Sequence, residues 1–269
     1  MGFKGVLDDL TSLIAFFTPI PVVTRGEGPR FRSLYLLALV GVMRGFMVIS
    51  LLYIVLSLEI FNGLIFCSLA IASHFIAQGF LHVDGFIDFS EAVLASRSGI
   101  NAYRVLKDAC RGSYAIAAFT TYVILLNSVL SALIEVLGLR LIMHALFLAE
   151  VWIFDVIALM ALVNKAPSNG IGAAFKNSLT FRDLVLIVLS SLLITVVTCH
   201  LWNAKLITTL MGLSLALLTS TSFTSLISRK VLGFINGDVL GFASEIFYLL
   251  WLATLMVIAC SRIGSCLGI

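Results

Sequence analysis

Stretches of about 20 apolar residues recur along the whole of this 269-residue chain, and each is long enough to cross a hydrocarbon core about 30 Å thick. A segment in lipid has no water to hydrogen-bond its peptide groups, so it must satisfy them within itself as a helix or by closing a barrel. The alternating pattern of a barrel strand is absent. The sequence therefore predicts an all-α, polytopic integral membrane bundle of about seven transmembrane helices, forming one domain over residues 1–269. Composition agrees. Hydrophobic residues make up 61% and charged residues 12%, against the roughly 25% charged of a soluble domain. A net charge of +3 is too mild to suggest a nucleic-acid partner.

Hydropathy places the spans at 34–56, 60–81, 113–137, 140–163, 183–201, 205–227 and 240–261. Residues 10–23 form an apolar stretch broken by Pro19 and Pro21, too short to span, which predicts a re-entrant or interfacial segment. Asp8 and Asp9 precede that run and no small-residue cleavage site follows it, so it does not read as a signal peptide. With the N-terminus inside, the inner segments hold thirteen Lys and Arg residues, among them Arg25, Arg104 and Lys107. The outer ones hold three: Arg140, Lys205 and Arg262. That bias predicts a multi-pass plasma-membrane protein with its N-terminus and its long loops in the cytoplasm. The five cysteines show no CxxC spacing, and all but one lie in or beside apolar runs as small core residues.

The loops carry the chemistry. In His82-Val-Asp-Gly-Phe-Ile-Asp-Phe-Ser-Glu91, the carboxylates Asp84, Asp88 and Glu91 fall at i, i+4 and i+7 and share one face of a helix. Like charges so close at a membrane edge are costly unless a cation lies among them, and carboxylate oxygens suit Mg²⁺ or Mn²⁺. Gly85 would let a bulky phosphate approach the backbone. An acidic, solvated helix end is the plainer alternative. Arg104, Lys107, Asp108 and Arg111 repeat a helical spacing and would present cations to a polyphosphate or, alternatively, to anionic lipid. Asn169-Gly-Ile-Gly-Ala-Ala-Phe175 is a glycine loop opening a short helix. In Gly233-Phe-Ile-Asn236-Gly-Asp238, the aspartate opens the last span, with Glu245 seven residues on, inside the bilayer. Glu150 and Asp155 are expected to face the bundle interior, with Arg44 as a partner for one of them. His74, His144 and His200 read as structural.

Taken in order, these segments resemble the cobalamin synthase family, adenosylcobinamide-GDP ribazoletransferase. The resemblance rests on Phe16-Phe-Thr18-Pro-Ile-Pro21, Leu39-Val-Gly41, His82 to Asp88, Lys107-Asp108, Gly170-Ile-Gly172-Ala-Ala-Phe175, and Gly237-Asp-Val-Leu-Gly241 with Glu245. The chain departs from the family pattern at Glu91, usually Asp, and at Ala38, usually Pro. Cys110 stands in the usual arginine position with Arg111 one place later, and Asn236 replaces the usual Thr. The resemblance implies that adenosylcobinamide-GDP and α-ribazole, or its 5′-phosphate, are joined with release of GMP, with Mg²⁺ as the metal. It implies Asp84, Asp88, Glu91 and Asp108 as metal ligands and His82 and Asp238 as further catalytic groups. Thr18, Lys107, Arg111, Gly172, Asn236 and Glu245 are implied as substrate-binding residues.

Two other readings stay open. A CDP-alcohol phosphotransferase-like lipid enzyme would use similar carboxylates, although its Asp-Gly-x-x-Ala-Arg start is not met. A transporter would use Glu150, Asp155 and Glu245 as coupling sites. Whether the chain forms a homo-oligomer is left open by the sequence.

Overall fold

A computed structural model of the protein describes residues 3–24, 28–57, 62–108 and 110–263. Arg25 and Cys266 lie outside this range. The described residues form ten α-helices and no strand: α1 (Phe3–Phe17), α2 (Leu37–Ser57) after a 3₁₀ turn at Leu34–Leu36, α3 (Gly63–Ala77), α4 (Leu81–Ser96), α5 (Ala102–Lys107), α6 (Ser113–Val163), α7 (Ile171–Ser178), α8 (Phe181–Trp202), α9 (Leu206–Val231) and α10 (Gly237–Ile263). Several of their starts carry side chains that accept the unpaired N–H groups of a first turn. Asn62 accepts from Leu64 and Ile65 at α3, Asn101 from Arg104 at α5, and Asn236 from Val239 at α10. Thr180 and Asp183 form a capping box at α8.

Five segments among the described residues are long and apolar enough to cross a bilayer: Leu34–Ser57, Ser113–Val163, Phe181–Trp202, Leu206–Val231 and Gly237–Ser261. The pair Gly63–Ala77 and Leu81–Ser96, bent by 96°, would make a sixth if taken as one span. The hydropathy reading differs in one place. The stretch read as a span over 60–81 is the 15-residue α3, which stops at Ala77 and turns. The stretches 113–137 and 140–163 both belong to the 51-residue α6, which is broken at Gly138 (φ 72, ψ 163). Tyr122 donates to Glu245 at 2.6 Å, and His74 lies 3.2 Å from that same carboxylate while also bonding Glu150. Residues 122 and 150 would stand about 42 Å apart on a straight helix. The two arms of α6 therefore fold back on each other at Gly138, a backbone conformation that suits glycine.

The expected re-entrant stretch 10–23 is divided. Residues up to Phe17 complete α1, whose inner face (Leu13, Ile14, Phe17) is buried, and Thr18 Oγ1 donates to the Ile14 carbonyl at 2.7 Å where the helix stops ahead of Pro19.

Two close backbone crossings set the interior. Gly41 and Gly45 bring α2 onto the second arm of α6: a Cβ at Gly41 would fall 2.7 Å from Val151 Cα, and one at Gly45 would fall 2.6 Å from the Phe147 ring. Gly85 and Gly241 bring α4 onto α10. A Cβ at Gly85 would meet Asp238 Cα at 2.9 Å, and one at Gly241 would meet the His82 carbonyl at 2.7 Å. Gly85 was expected to admit phosphate to the backbone. It instead admits α10, and so sets Asp84 beside Asp238 on facing helices.

Between α3 and α4 the chain turns a corner through Gly79 and Phe80, both at positive φ (59° and 61°). A bulky residue there is uncommon and is held by its surroundings. Gln78 does much of the holding. Its Oε1 accepts from the N–H groups of His82 (2.7 Å) and Val83 (3.0 Å), capping α4, while its Nε2 donates to Glu245 on α10 at 2.9 Å.

Gly241→Ala should therefore destabilise the fold by about 1–3 kcal/mol, because the new methyl meets backbone that cannot swing aside. Gly63→Ala, where a Cβ meets nothing within 4 Å, should not. Thermal unfolding in detergent compares the two, and equal midpoints would refute the close crossing.

Candidate active site

A cavity of about 440 Å³ opens where the end of α1, the start of α4, α5, the loop before α7, and the start of α10 converge. One wall is aromatic. Phe16, Phe17, Phe31 and Phe175 pack edge to face, with ring centroids 5.6 Å apart for Phe16–Phe31 and 5.3 Å for Phe31–Phe175. The lining also carries polar side chains, His82, Asp84, Lys107, Asn236 and Asp238, and the His82 and Phe17 ring centroids lie 6.1 Å apart. Segments from Phe16 through to Leu240 thus contribute to one pocket of mixed aromatic and polar lining. A flat ring can lie against the aromatic side chains while hydroxyls or phosphates meet the polar ones.

The predicted residues distribute as follows. His82, Asp84, Lys107, Gly172, Asn236 and Asp238 all line the cavity. Gly172 does so because a Cβ there would strike the backbone of Gly237 at 2.8 Å, so α7 can lie against the α10 start only with glycine. Asn236 donates to Asp238 Oδ2 at 2.7 Å and orients that carboxylate. Asp88 and Glu91 sit on α4 with Asp84, as the spacing predicts, but are buried while Asp84 is exposed. Asp88 pairs with Arg111. Glu91 Oε1 accepts the Gly112 N–H at 2.6 Å and so ties the 108–112 loop to α4.

The expected helical face over Arg104, Lys107, Asp108 and Arg111 does not form. α5 ends at Lys107, and Asp108 is extended (φ −77, ψ 132). Its carboxylate accepts from Cys110 N at 2.9 Å and its carbonyl from Arg111 at 2.6 Å, so Asp108 folds its own loop. No group of three or more His, Cys, Asp or Glu side chains stands close enough to hold a metal among the described residues. The four expected ligands are therefore not gathered into one cage. Two oxygens on α4 nevertheless suit a hard cation: Asp88 Oδ1 and Glu91 Oε2 are buried with no hydrogen-bond partner.

Thr18 and Glu245 do not line the cavity. Thr18 serves the end of α1. Glu245 is fully buried and receives hydrogen bonds from Tyr122 and Gln78, with His74 alongside. His74, expected to be structural, is stacked on Tyr248 at 3.7 Å and links Glu150 to Glu245. Arg44 finds Glu150, at 2.6 Å, as its partner, and also bonds His82. Asp155 is fully buried and accepts from Ser191 at 2.6 Å. The aromatic wall had partial sequence signals, since Phe16, Phe17 and Phe175 fall within motif segments. Phe234 lies in the segment before Asp238, while Phe31 and Tyr103 had none.

α4, at 16 residues and turned away from α3, is too short to be a span by itself. Burial, and then the Arg44 charge, hold the His82 imidazole well below its usual range. Burial, and then Asp84, push the Asp88 carboxyl up to about 6 against the opposing pull of Arg111. An unfolded Asp titrates near pH 3.9, so native Asp88 holds its proton more tightly. Its contribution to stability is present below pH of about 4 and is lost as pH rises through about 6. The drop in unfolding midpoint between pH 4 and pH 7 should thus be smaller in Asp88→Asn than in the natural protein. Parallel curves would contradict it.

Residues 9–256 match the family model for cobalamin-5-phosphate synthase. Among similar proteins, an adenosylcobinamide-GDP ribazoletransferase of Prosthecochloris aestuarii is 24% identical over 256 residues, covering 94% of this chain and 99% of the relative. Proteins of the same name from Thermococcus kodakarensis and Clostridium novyi are 29% and 27% identical. They cover 88% and 93% of this chain, and 93% and 97% of their own lengths. No solved structure matches the chain significantly. With the family model spanning nearly the whole sequence, and most of the family's motif segments contributing to one cavity, the chain belongs to the cobalamin-5-phosphate synthase family.

Proposed function

We propose that this enzyme, a transferase of cobalamin synthesis, joins adenosylcobinamide-GDP to α-ribazole, or to its 5′-phosphate, and releases GMP. The observation that carries the reading is one cavity of aromatic and polar lining, in which His82, Asp84, Lys107 and Asp238 come together from three separate segments. A ribose hydroxyl attacks the phosphorus on the cobinamide side. The new P–O bond forms as the bond to the bridging oxygen breaks, and GMP leaves with that oxygen. Asp238, oriented by Asn236, is placed to take the hydroxyl proton. Lys107 neutralises phosphate oxygens. The aromatic wall of Phe17, Phe31 and Phe175 supports a flat base.

A divalent cation, Mg²⁺ by family resemblance, would be held by Asp84 and Asp88 with Glu91 behind them, and when bound would neutralise charge on the diphosphate. The unpartnered oxygens of Asp88 and Glu91 support that assignment, as does the mutual repulsion of Asp84 and Asp88. Purified protein given both substrates should form corrinoid product and GMP, and EDTA should abolish turnover. Asp84→Asn and Asp238→Asn should each lower kcat by about 100-fold or more. Turnover of a CDP-linked lipid precursor, or ion-coupled uptake into vesicles without chemistry, would replace this reading.

The excess of Lys and Arg in the loops that build the cavity supports a cytoplasmic site. Cys110 is exposed in one of those loops. A membrane-impermeant maleimide should therefore label it in inside-out vesicles and not in intact cells, and the reverse pattern would invert the topology.

A further inference from the structure

His82 is the cavity residue most firmly tied to the interior. Its Nε2 lies 2.9 Å from Arg44 Nη1 in hydrogen-bonding geometry. A guanidinium carries donors only, so Nε2 must be the acceptor of that bond and cannot carry the ring proton. The proton of a neutral imidazole then resides on Nδ1. Among the described residues no hydrogen bond to Nδ1 is formed, and Nδ1 is not among the sealed, unpartnered buried atoms. The ring lines the cavity. Arg44 is held in place from its other sides. It is wholly buried, its Nη2 lies 2.6 Å from Glu150 Oε2, and the Phe154 ring covers its guanidinium with the centroid 5.5 Å away. Glu150 is fixed in turn by His74.

We propose that Arg44 is a positioning residue that locks His82 in the Nδ1–H tautomer, so that His82 meets the substrate as a hydrogen-bond donor to a phosphate oxygen and not as a proton acceptor. The donor role rests on the transferase reading above; the tautomer does not. It also separates the two polar groups that could compete for the base role. The nitrogen a base would need is occupied from behind by a permanent cation, which leaves proton removal to the carboxylates that line the cavity with it.

The decisive measurement uses the unaltered protein. The chain has four histidines, and long-range ¹H–¹⁵N correlation of ¹⁵N-histidine-labelled protein in nanodiscs distinguishes Nδ1–H from Nε2–H by pattern. His82→Asn identifies the resonances by their loss. Nδ1–H is expected, and an Nε2–H or doubly protonated ring would overturn the proposal whether or not the ribazole reaction is found. An asparagine amide can stand where Nδ1 stood, and a glutamine amide where Nε2 stood. His82→Asn should therefore keep kcat within about tenfold, while His82→Gln loses about 100-fold with KM little changed. The opposite order refutes the donor role. Removing Arg44 alone would strand Glu150 and risk the fold. The double variant Arg44→Met/Glu150→Gln leaves no unpaired charge at that position, and in it the Nε2–H tautomer should appear and kcat should fall. A folded double variant that retains only Nδ1–H with full kcat would show that Arg44 does not set the tautomer. If it does not fold, the spectrum of the unaltered protein still decides.

Discussion

A guanidinium with no access to water must find its counter-charge inside the fold, and Arg44 is wholly buried. It meets Glu150 from the second arm of α6. Glu150 meets His74 from α3, and His74 meets Glu245 from α10, which also receives Tyr122 from the first arm of α6 and Gln78 from the corner before α4. One guanidinium, one imidazole and two carboxylates balance with a single proton on or beside the imidazole. Breaking a buried pair by removing one partner typically costs about 3–5 kcal/mol, so the helices that carry these groups are not free to slide. The close α2–α6 approach at Gly41 and Gly45 follows from the same demand, since only glycine lets the two backbones come near enough for Arg44 to reach Glu150.

The site inherits its geometry from this network. Gln78 joins Glu245 to the first N–H groups of α4, so the corner at Gly79 and Phe80, and hence the direction of α4, are fixed from α10. α4 then crosses α10 at Gly85 and Gly241, a contact that sets Asp84 and Asp238 on facing helices at the mouth of the cavity. Their mutual repulsion is imposed by the fold, which is the physical reason a cation is expected to be welcome there.

Much of this was legible in the sequence, and what was not has identifiable causes. Hydropathy located α2, α8, α9 and α10 because lipid-facing helices are apolar over their whole length. It overran α3, because the corner is made by Gly79 and a strained Phe80 within an apolar run and no proline marks it. The i, i+4, i+7 spacing placed Asp84, Asp88 and Glu91 on one face correctly, yet spacing carries no information on depth, and two of the three are buried. The same rule failed for Arg104 to Arg111, because Asp108 prefers to bond its own loop and ends the helix. Gly85 was visible as a backbone approach, but whether ligand or protein approaches cannot be read from a missing side chain.

Glu245 shows how a sound rule can mislead at short range. An ionisable group inside a bilayer is expensive and is usually retained for function, which made it a candidate for touching substrate. Its carboxylate is occupied by Tyr122 and Gln78, with His74 alongside, and it does not line the cavity. The cost is nonetheless tied to the site, because Glu245 holds Gln78, and Gln78 caps the helix that begins with His82. His82 is fixed twice, at its backbone through Gln78 and at its ring through Arg44, and both supports trace back to one buried charge cluster. Intramembrane charge in this fold therefore acts at one remove, by holding in place the groups that meet the cavity.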